Sequence, residues 1–251
     1  MNVTTILWRN MKWRFHNKFT IIITILQPML WLLLYSTVAK ETMGSSGIID
    51  YTAFILPGLM VLVSFGACSS SGIMNYLMKM DGSFYRILIA PIKRSSIVIG
   101  QILEAVLCSF LEVAIMVIVS LFLVKEIQYS LVGMLMIIGL LFLSSFFMAG
   151  LTYAISLILP NEVIYETVMN AIVLPVFFLS SALFPTIAIQ GVLKIIINLN
   201  PFTHVINTIR LILLEDKIFT TEALIAFVFL ICMGIVTYLW AMKRLKKETE
   251  L

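Results

Sequence analysis

Long apolar runs alternate with short polar clusters from one end of this chain to the other. A hydrocarbon core about 30 Å thick is crossed by about 20 helical residues. The run lengths therefore predict an all-α polytopic membrane protein, a single transmembrane domain over 1–251 with six spans. These lie near 19–39, interrupted by Gln27-Pro28, then 53–74, 96–124, 131–159, 163–184 with Pro175 inside, and 222–242. The third and fourth runs exceed the required length, which predicts tilt or protrusion into the headgroups. Short alternating strands with turn signals, the mark of a membrane barrel, are absent from the pattern.

The polar clusters predict the remaining elements. In residues 1–18, Trp8, Trp13 and Phe15 interleave with Arg9, Lys12 and Arg14, which suits an interfacial helix on the cytoplasmic leaflet. The expected cytoplasmic loop at 76–95 overlaps "KMDGSFYRILIAPIKRSS" (79–96), a polar passage with an apolar centre. Tyr85 to Ile89 fit a short amphipathic helix there, stopped by Pro91. Residues 185–221 are apolar only in patches, and neither half reaches spanning length. They predict a broken, re-entrant pair of short helices meeting at Asn200-Pro201.

Charge orients this pattern. Twelve of the 17 Lys and Arg residues precede the first run, lie between the second and third, or follow the sixth. With six spans all twelve share one side, so the positive-inside rule places both termini in the cytoplasm. The net charge of +4 thus has a membrane explanation and does not point to nucleic acid. At 61% hydrophobic, 12% charged and a mean hydropathy of +1.07, the chain falls far from the roughly 25% charged content of soluble domains. The amino-terminal apolar run is long enough to span and starts late for a cleavable signal. Cys68, Cys108 and Cys232 sit in apolar runs without metal-ligand spacing and read as structural thiols.

The motifs of covalent chemistry are missing from the sequence: no Walker A lysine follows the Gly-rich "GACSSSG" at 66–72, and no hydrolase or zinc spacing is present. Gly66 with Ser70, and Ala67 with Ser71, read instead as small pairs that let helices approach closely. Ionisable groups inside the apolar runs are then the main functional candidates. Glu104 and Glu112 lie two turns apart on the third run, about 80° apart around the helix and about 12 Å along it. They fit either a wet, substrate-facing surface or a structural bond to a neighbouring helix.

Four stretches in order resemble the membrane permease subunit of type-2 ABC exporters. "DYTAFILPGLM" (50–60) is similar to the family's Tyr-x-x-Phe-x-x-Pro-Gly start of the second span, and "DGSFYRILIAPIKRSSIVIGQIL" (81–103) to its cytoplasmic loop. "PVFFLSSALFP" (175–185) is similar to its Phe-Leu-Ser-Gly-x-x-Phe-Pro segment, with Ser181 in place of the glycine. "NLNPFTHVINTIR" (198–210) is similar to its Asn-Pro segment before the last span, with Asn207 where an aspartate is common.

The resemblance implies a transport subunit that is not itself an enzyme. ATP and Mg²⁺ would sit on a separate cytoplasmic ABC ATPase present in two copies, and a second permease, identical or different, would complete the path. It implies a bacterial plasma-membrane location. It assigns ATPase coupling to Asp81, Gly82, Tyr85, Arg86, Leu88 and Pro91, with Glu162 and Glu166 as a second contact. Candidates for the substrate path are Glu104, Glu112, Phe65, Ser69, Phe177, Phe178 and Ser181. Candidates for an extracellular gate are Phe184, Pro185, Asn200, Pro201, His204 and Arg210. The implied cargo is a hydrophobic or amphipathic drug, antibiotic or peptide. Export of a polysaccharide or lipid-linked glycan, or a non-transporting immunity or sensor role, are the alternatives.

Overall fold

The computed structural model describes residues 3–16, 22, 26–34, 37–38, 51–123, 130–184 and 189–248. Among them the secondary structure is all helical. The helices are α1 (Val3–Arg14), α2 (Tyr51–Met80), α3 (Ser83–Ile89), α4 (Arg94–Leu123), α5 (Leu131–Ser156), α6 (Glu162–Phe178), α7 (Val192–Leu199), α8 (Pro201–Glu215) and α9 (Thr221–Glu248). Residues 26–34 are also helical. Four helices, α2, α4, α5 and α9, are long and apolar enough to cross a membrane. Residues 19–21, 23–25, 35–36 and 39 of the expected first run, and Pro185, lie outside the described residues.

α2 is the central helix. Its most apolar stretch is 78% buried, against 39%, 39% and 28% for α4, α5 and α9. It packs against α4, α5, α6 and α8, while α9 lies mainly along α5 and α8. The outer helices keep large apolar side chains exposed, among them Phe122, Leu135 and Val236, as lipid-facing surfaces do.

Three expected boundaries move. α2 continues through Met80, so the first five residues of the 76–95 loop are helical. Asn75 and Met78 extend its buried stripe, and no helix breaker occurs before Asp81-Gly82. The run at 163–184 is helical only to Phe178. There the Ser180 hydroxyl donates to the Phe177 carbonyl at 2.5 Å and accepts from the Ala182 N–H at 3.2 Å, a local pattern that competes with helix continuation. α9 extends past 242 through the basic tail to Glu248.

The break expected at Asn200-Pro201 is present as a double cap. Asn200 closes α7, and its side-chain oxygen accepts the Phe202 N–H at 3.0 Å to open α8, with Pro201 at the first helical position. The Asn200 side-chain amide donates to the Val176 and Leu179 carbonyls at 2.7 and 2.9 Å, which pins this corner to the end of α6.

The small residues of α2 act differently from their sequence pattern. A Cβ at Gly66 would meet nothing within 4 Å, whereas one at Gly72 would lie 2.0 Å from the Tyr165 hydroxyl. The close approach of α2 and α6 is therefore at Gly72, beneath a fully buried Tyr165 whose hydroxyl donates to the Ser69 carbonyl at 2.8 Å. Gly72→Ala is expected to destabilise the protein by about 1–3 kcal/mol through overpacking. Gly66→Ala should leave the unfolding midpoint in detergent unchanged within error. Equal midpoints for the two variants would contradict this packing.

Candidate functional site

α3 begins where α2 ends. Gly82 adopts φ 75°, a left-handed turn that glycine makes at little cost. The Asp81 carboxylate accepts the Ser83 N–H at 2.8 Å, and that bond holds it below its ordinary carboxylate range. Phe84 and Ile87 are buried, Leu88 is half-buried, and Tyr85, Arg86 and Ile89 are exposed, so the helix has an anchored side and a free side. Ala90 is extended, as a residue before proline prefers, and Pro91 is exposed at the turn into α4. Arg94 of α4 donates to the Leu88 carbonyl at 2.8 Å, and the Lys79 ammonium lies 5.3 Å from the Phe84 ring centre.

α1 packs on the bundle through one side. Its buried stripe is Ile6, Asn10 and Arg14, four residues apart, and two of the three are polar. Each meets a matching position on α4. Ile6 fills the space above Gly100, where a Cβ would come within 2.8 Å of its Cγ2. Asn10 donates to Gln101 Oε1 at 2.9 Å, and Arg14 forms an ion pair with Glu104 at 3.1 Å. Both charged side chains are almost fully buried, at 4% and 1% exposed.

The Arg14 guanidinium also donates to the Ser71 hydroxyl at 2.7 Å, to the Ser70 hydroxyl and to the Ala67 carbonyl at 3.5 Å. Ser71 in turn donates to the second Glu104 oxygen at 2.7 Å. Trp8 and Trp13 stay exposed on the outer side of α1.

Glu104 is thus the buried partner of a cation on another element. Arg14 was legible in the sequence only as a flanking basic residue. The signal for its role is the repeat of Ile6, Asn10 and Arg14, which places two polar groups on the docking stripe. Replacing Arg14 or Glu104 singly by Met strands a buried charge and is expected to cost about 3–5 kcal/mol. The double replacement should recover most of that loss in denaturant unfolding. Additive losses would show that the pair does not interact.

A cavity of about 190 Å³ lies between residues 27–31, α2, α4 and α6. Its walls include Trp31, Gly66, Glu112, Asn170, Phe177 and Phe178. Of the seven expected path residues, the fold brings together Glu112, Phe177 and Phe178. It does not bring in the others: Phe65 is core, edge-on to Phe202 at 4.7 Å, Ser69 offers its carbonyl to Tyr165, and Ser181 belongs to a network at the far end of α2.

Residues 1–214 match the sequence profile of the family described as ABC-2 type transporter. The chain belongs to that family. Its members are membrane subunits of transporters and work with ABC ATPase partners, which accords with the apolar helices described above. No curated protein matches the chain in a sequence comparison.

In this ABC-2 family member the end of the bundle opposite α3 is closed by Arg210. It donates to the Phe54 carbonyl at 3.1 Å, to the Ser181 carbonyl at 2.7 Å and to the Asn207 side chain at 3.1 Å. Its guanidinium also stacks 3.7 Å from the Phe54 ring centre. Arg210 is therefore a clasp between α2, α8 and the turn after α6, while Glu215 pairs with Lys217 at 2.7 Å. Ser181 donates to Asn207 at 2.6 Å, so the two positions that depart from the family pattern contact each other.

His204 meets the Asn198 carbonyl at 3.0 Å, and Phe184 is exposed. Glu162 and Glu166 are exposed one turn apart at the start of α6, which Asn161 caps by accepting the Ile164 N–H at 2.8 Å. Arg210→Lys keeps the charge but loses the planar fork. It is expected to lower stability by about 1–3 kcal/mol, measured by thermal unfolding in detergent; an unchanged midpoint would remove Arg210 as the clasp.

Proposed function

We propose that this chain is the membrane-spanning subunit of an ATP-driven exporter that moves a hydrophobic or amphipathic substrate out of a bacterial cell. In this reading it crosses the plasma membrane six times, with both termini cytoplasmic. A separate ABC ATPase, in two copies, holds ATP and Mg²⁺, and a second permease completes the path. The observation that carries the proposal is α3, an amphipathic helix with its apolar side fixed to the bundle and Tyr85, Arg86 and Ile89 exposed, in a member of the ABC-2 family. Helix-in-groove docking is a common recognition mode, and the exposed Glu162 and Glu166 offer a second contact.

Transmission follows from the contacts around α3. α3 packs on α2 and bonds through Leu88 to Arg94 of α4. α4 holds α1 through Glu104, Gln101 and Gly100, and Arg14 of α1 returns to α2 at Ala67, Ser70 and Ser71. This ring of contacts moves as one body when the ATPase pushes on α3, and rigid-body motion of packed helices opens and closes a path. The cavity bordered by Glu112, Phe177 and Phe178 sits beyond this ring and is the proposed substrate contact.

Arg86→Glu reverses the charge on the exposed side of α3 without touching its buried anchors. It is expected to reduce recovery of the ATPase with the affinity-tagged permease about tenfold or more, equivalent to about 1.4 kcal/mol. Full recovery of the ATPase from Arg86→Glu and from a Tyr85-to-Pro91 replacement would contradict α3 as the docking element.

A further inference from the structure

The cavity beside Glu112 has a charge imbalance that the transport reading alone does not use. Two carboxylates, Glu104 and Glu112, lie on the buried face of α4, and one guanidinium serves them. Arg14 spends its contacts on Glu104, Ser70, Ser71 and the Ala67 carbonyl. Glu112 stands two turns further along, about 12 Å from Glu104. Its side chain is 8% exposed and borders the cavity. Among the described residues no hydrogen bond or ion pair to its carboxylate is formed. Arg14 attracts it only through space, and a carboxylate in an apolar bundle without a bonded counter-ion is costly.

The rest of the wall suits a cation as that counter-ion. Trp31, Phe177 and Phe178 border the same space, and the last two rings meet edge to face at 5.5 Å. Aromatic faces attract ammonium groups by their quadrupole, more strongly where water is excluded. Among the described residues the cavity wall carries no Lys or Arg, so an anion would meet the Glu112 carboxylate without a balancing cation. Besides Glu112, the described polar groups on the wall are the Gln27 and Asn170 amides and the Trp31 indole N–H, which is little for a hydroxyl-rich glycan. The volume of about 190 Å³ is below the roughly 300–1,000 Å³ that encloses a drug-sized ligand. A head group fits, and the remainder of the molecule lies along the exposed Leu174 and Phe178.

We infer that this cavity binds the ammonium head of a cationic amphiphile, with Glu112 as its counter-ion and Trp31, Phe177 and Phe178 as the surrounding rings. The inference deepens the exporter reading by naming the substrate class, and its transport consequence rests on that reading. Binding itself does not.

The test uses the full chain in lipid nanodiscs and three radiolabelled probes of similar size. They are benzyldimethylhexylammonium, its neutral isostere with carbon in place of nitrogen, and the anion hexylbenzenesulfonate. The expected result is saturable binding of the cation, with the neutral and anionic probes competing about tenfold or more weakly. Glu112→Gln should weaken cation binding about tenfold or more while leaving the thermal midpoint near wild type. Phe178→Ala, at an exposed ring, should weaken it several-fold and keeps the test open if Glu112→Gln misfolds.

Equal competition by the neutral isostere, or unchanged cation binding in both variants, overturns the inference. A second arm reconstitutes the permease with its ATPase in proteoliposomes. ATP-driven efflux of cation and neutral isostere alike overturns the cation selectivity and leaves the exporter reading standing. Saturable cation binding without ATP-driven efflux of any probe supports the site and overturns the exporter reading.

Discussion

The ion pair between Arg14 and Glu104 is the interaction on which the arrangement of this chain depends. A guanidinium and a carboxylate, both nearly fully buried, meet at 3.1 Å between an amino-terminal helix and a membrane-spanning one. Each would be strongly unfavourable there alone. Together, with both Glu104 oxygens and the guanidinium satisfied by Ser70, Ser71 and the Ala67 carbonyl, they fix the angle and register of α1 on α2 and α4. Buried ion pairs contribute little net stability compared with apolar packing, but they penalise every alternative arrangement that separates the charges. α1 is thereby made part of the bundle, even though its sequence interleaves Arg9, Lys12 and Arg14 with Trp8 and Trp13.

That constraint gives the two ends of the molecule different characters. At the α3 end, α1, α3 and the adjoining ends of α2 and α4 hold one another through side chains of unlike chemistry: an ion pair, an amide pair, a guanidinium on a carbonyl and a glycine contact. At the opposite end, Arg210 ties α2, α8 and the turn after α6 through carbonyls and the Phe54 ring. Between the two clasps the contacts are mainly apolar, and it is there that Glu112 borders a cavity. A body rigid at both ends and adaptable between them suits a protein that passes movement from a partner to a binding space.

Much of this architecture was legible from single residues and local spacing. Of the six runs read as spans, run length identified four helices long enough to cross, α2, α4, α5 and α9, because the cost of exposing backbone to lipid leaves few alternatives to a helix. The left-handed turn at Gly82, the cap at Asn200 and the extended Ala90 before Pro91 follow from local chemistry. What local reading could not reach was pairing between distant segments. Glu104 was recognisable as a group in need of a partner, yet the partner lies 90 residues away, in a segment whose cations already had a sufficient explanation in membrane orientation. Phe65 and Phe177 are chemically alike in the sequence and both buried; only packing places Phe177 also at the cavity wall. Gly66 and Gly72 stand in the same motif, and only the position of Tyr165 tells which one permits close approach.

α1 and α3 belong to one rigid unit held by Arg14 and Glu104. The measurement is the distance between spin labels at the exposed positions Trp8 on α1 and Lys93 just past α3, with Cys232 replaced, in the permease–ATPase complex. A rigid unit gives the same narrow distance distribution in nucleotide-free and ATP-trapped states, and a broadened one when Glu104 is replaced by Met. A Trp8–Lys93 distance that changes by several ångströms between the two nucleotide states in the otherwise unaltered protein would contradict it.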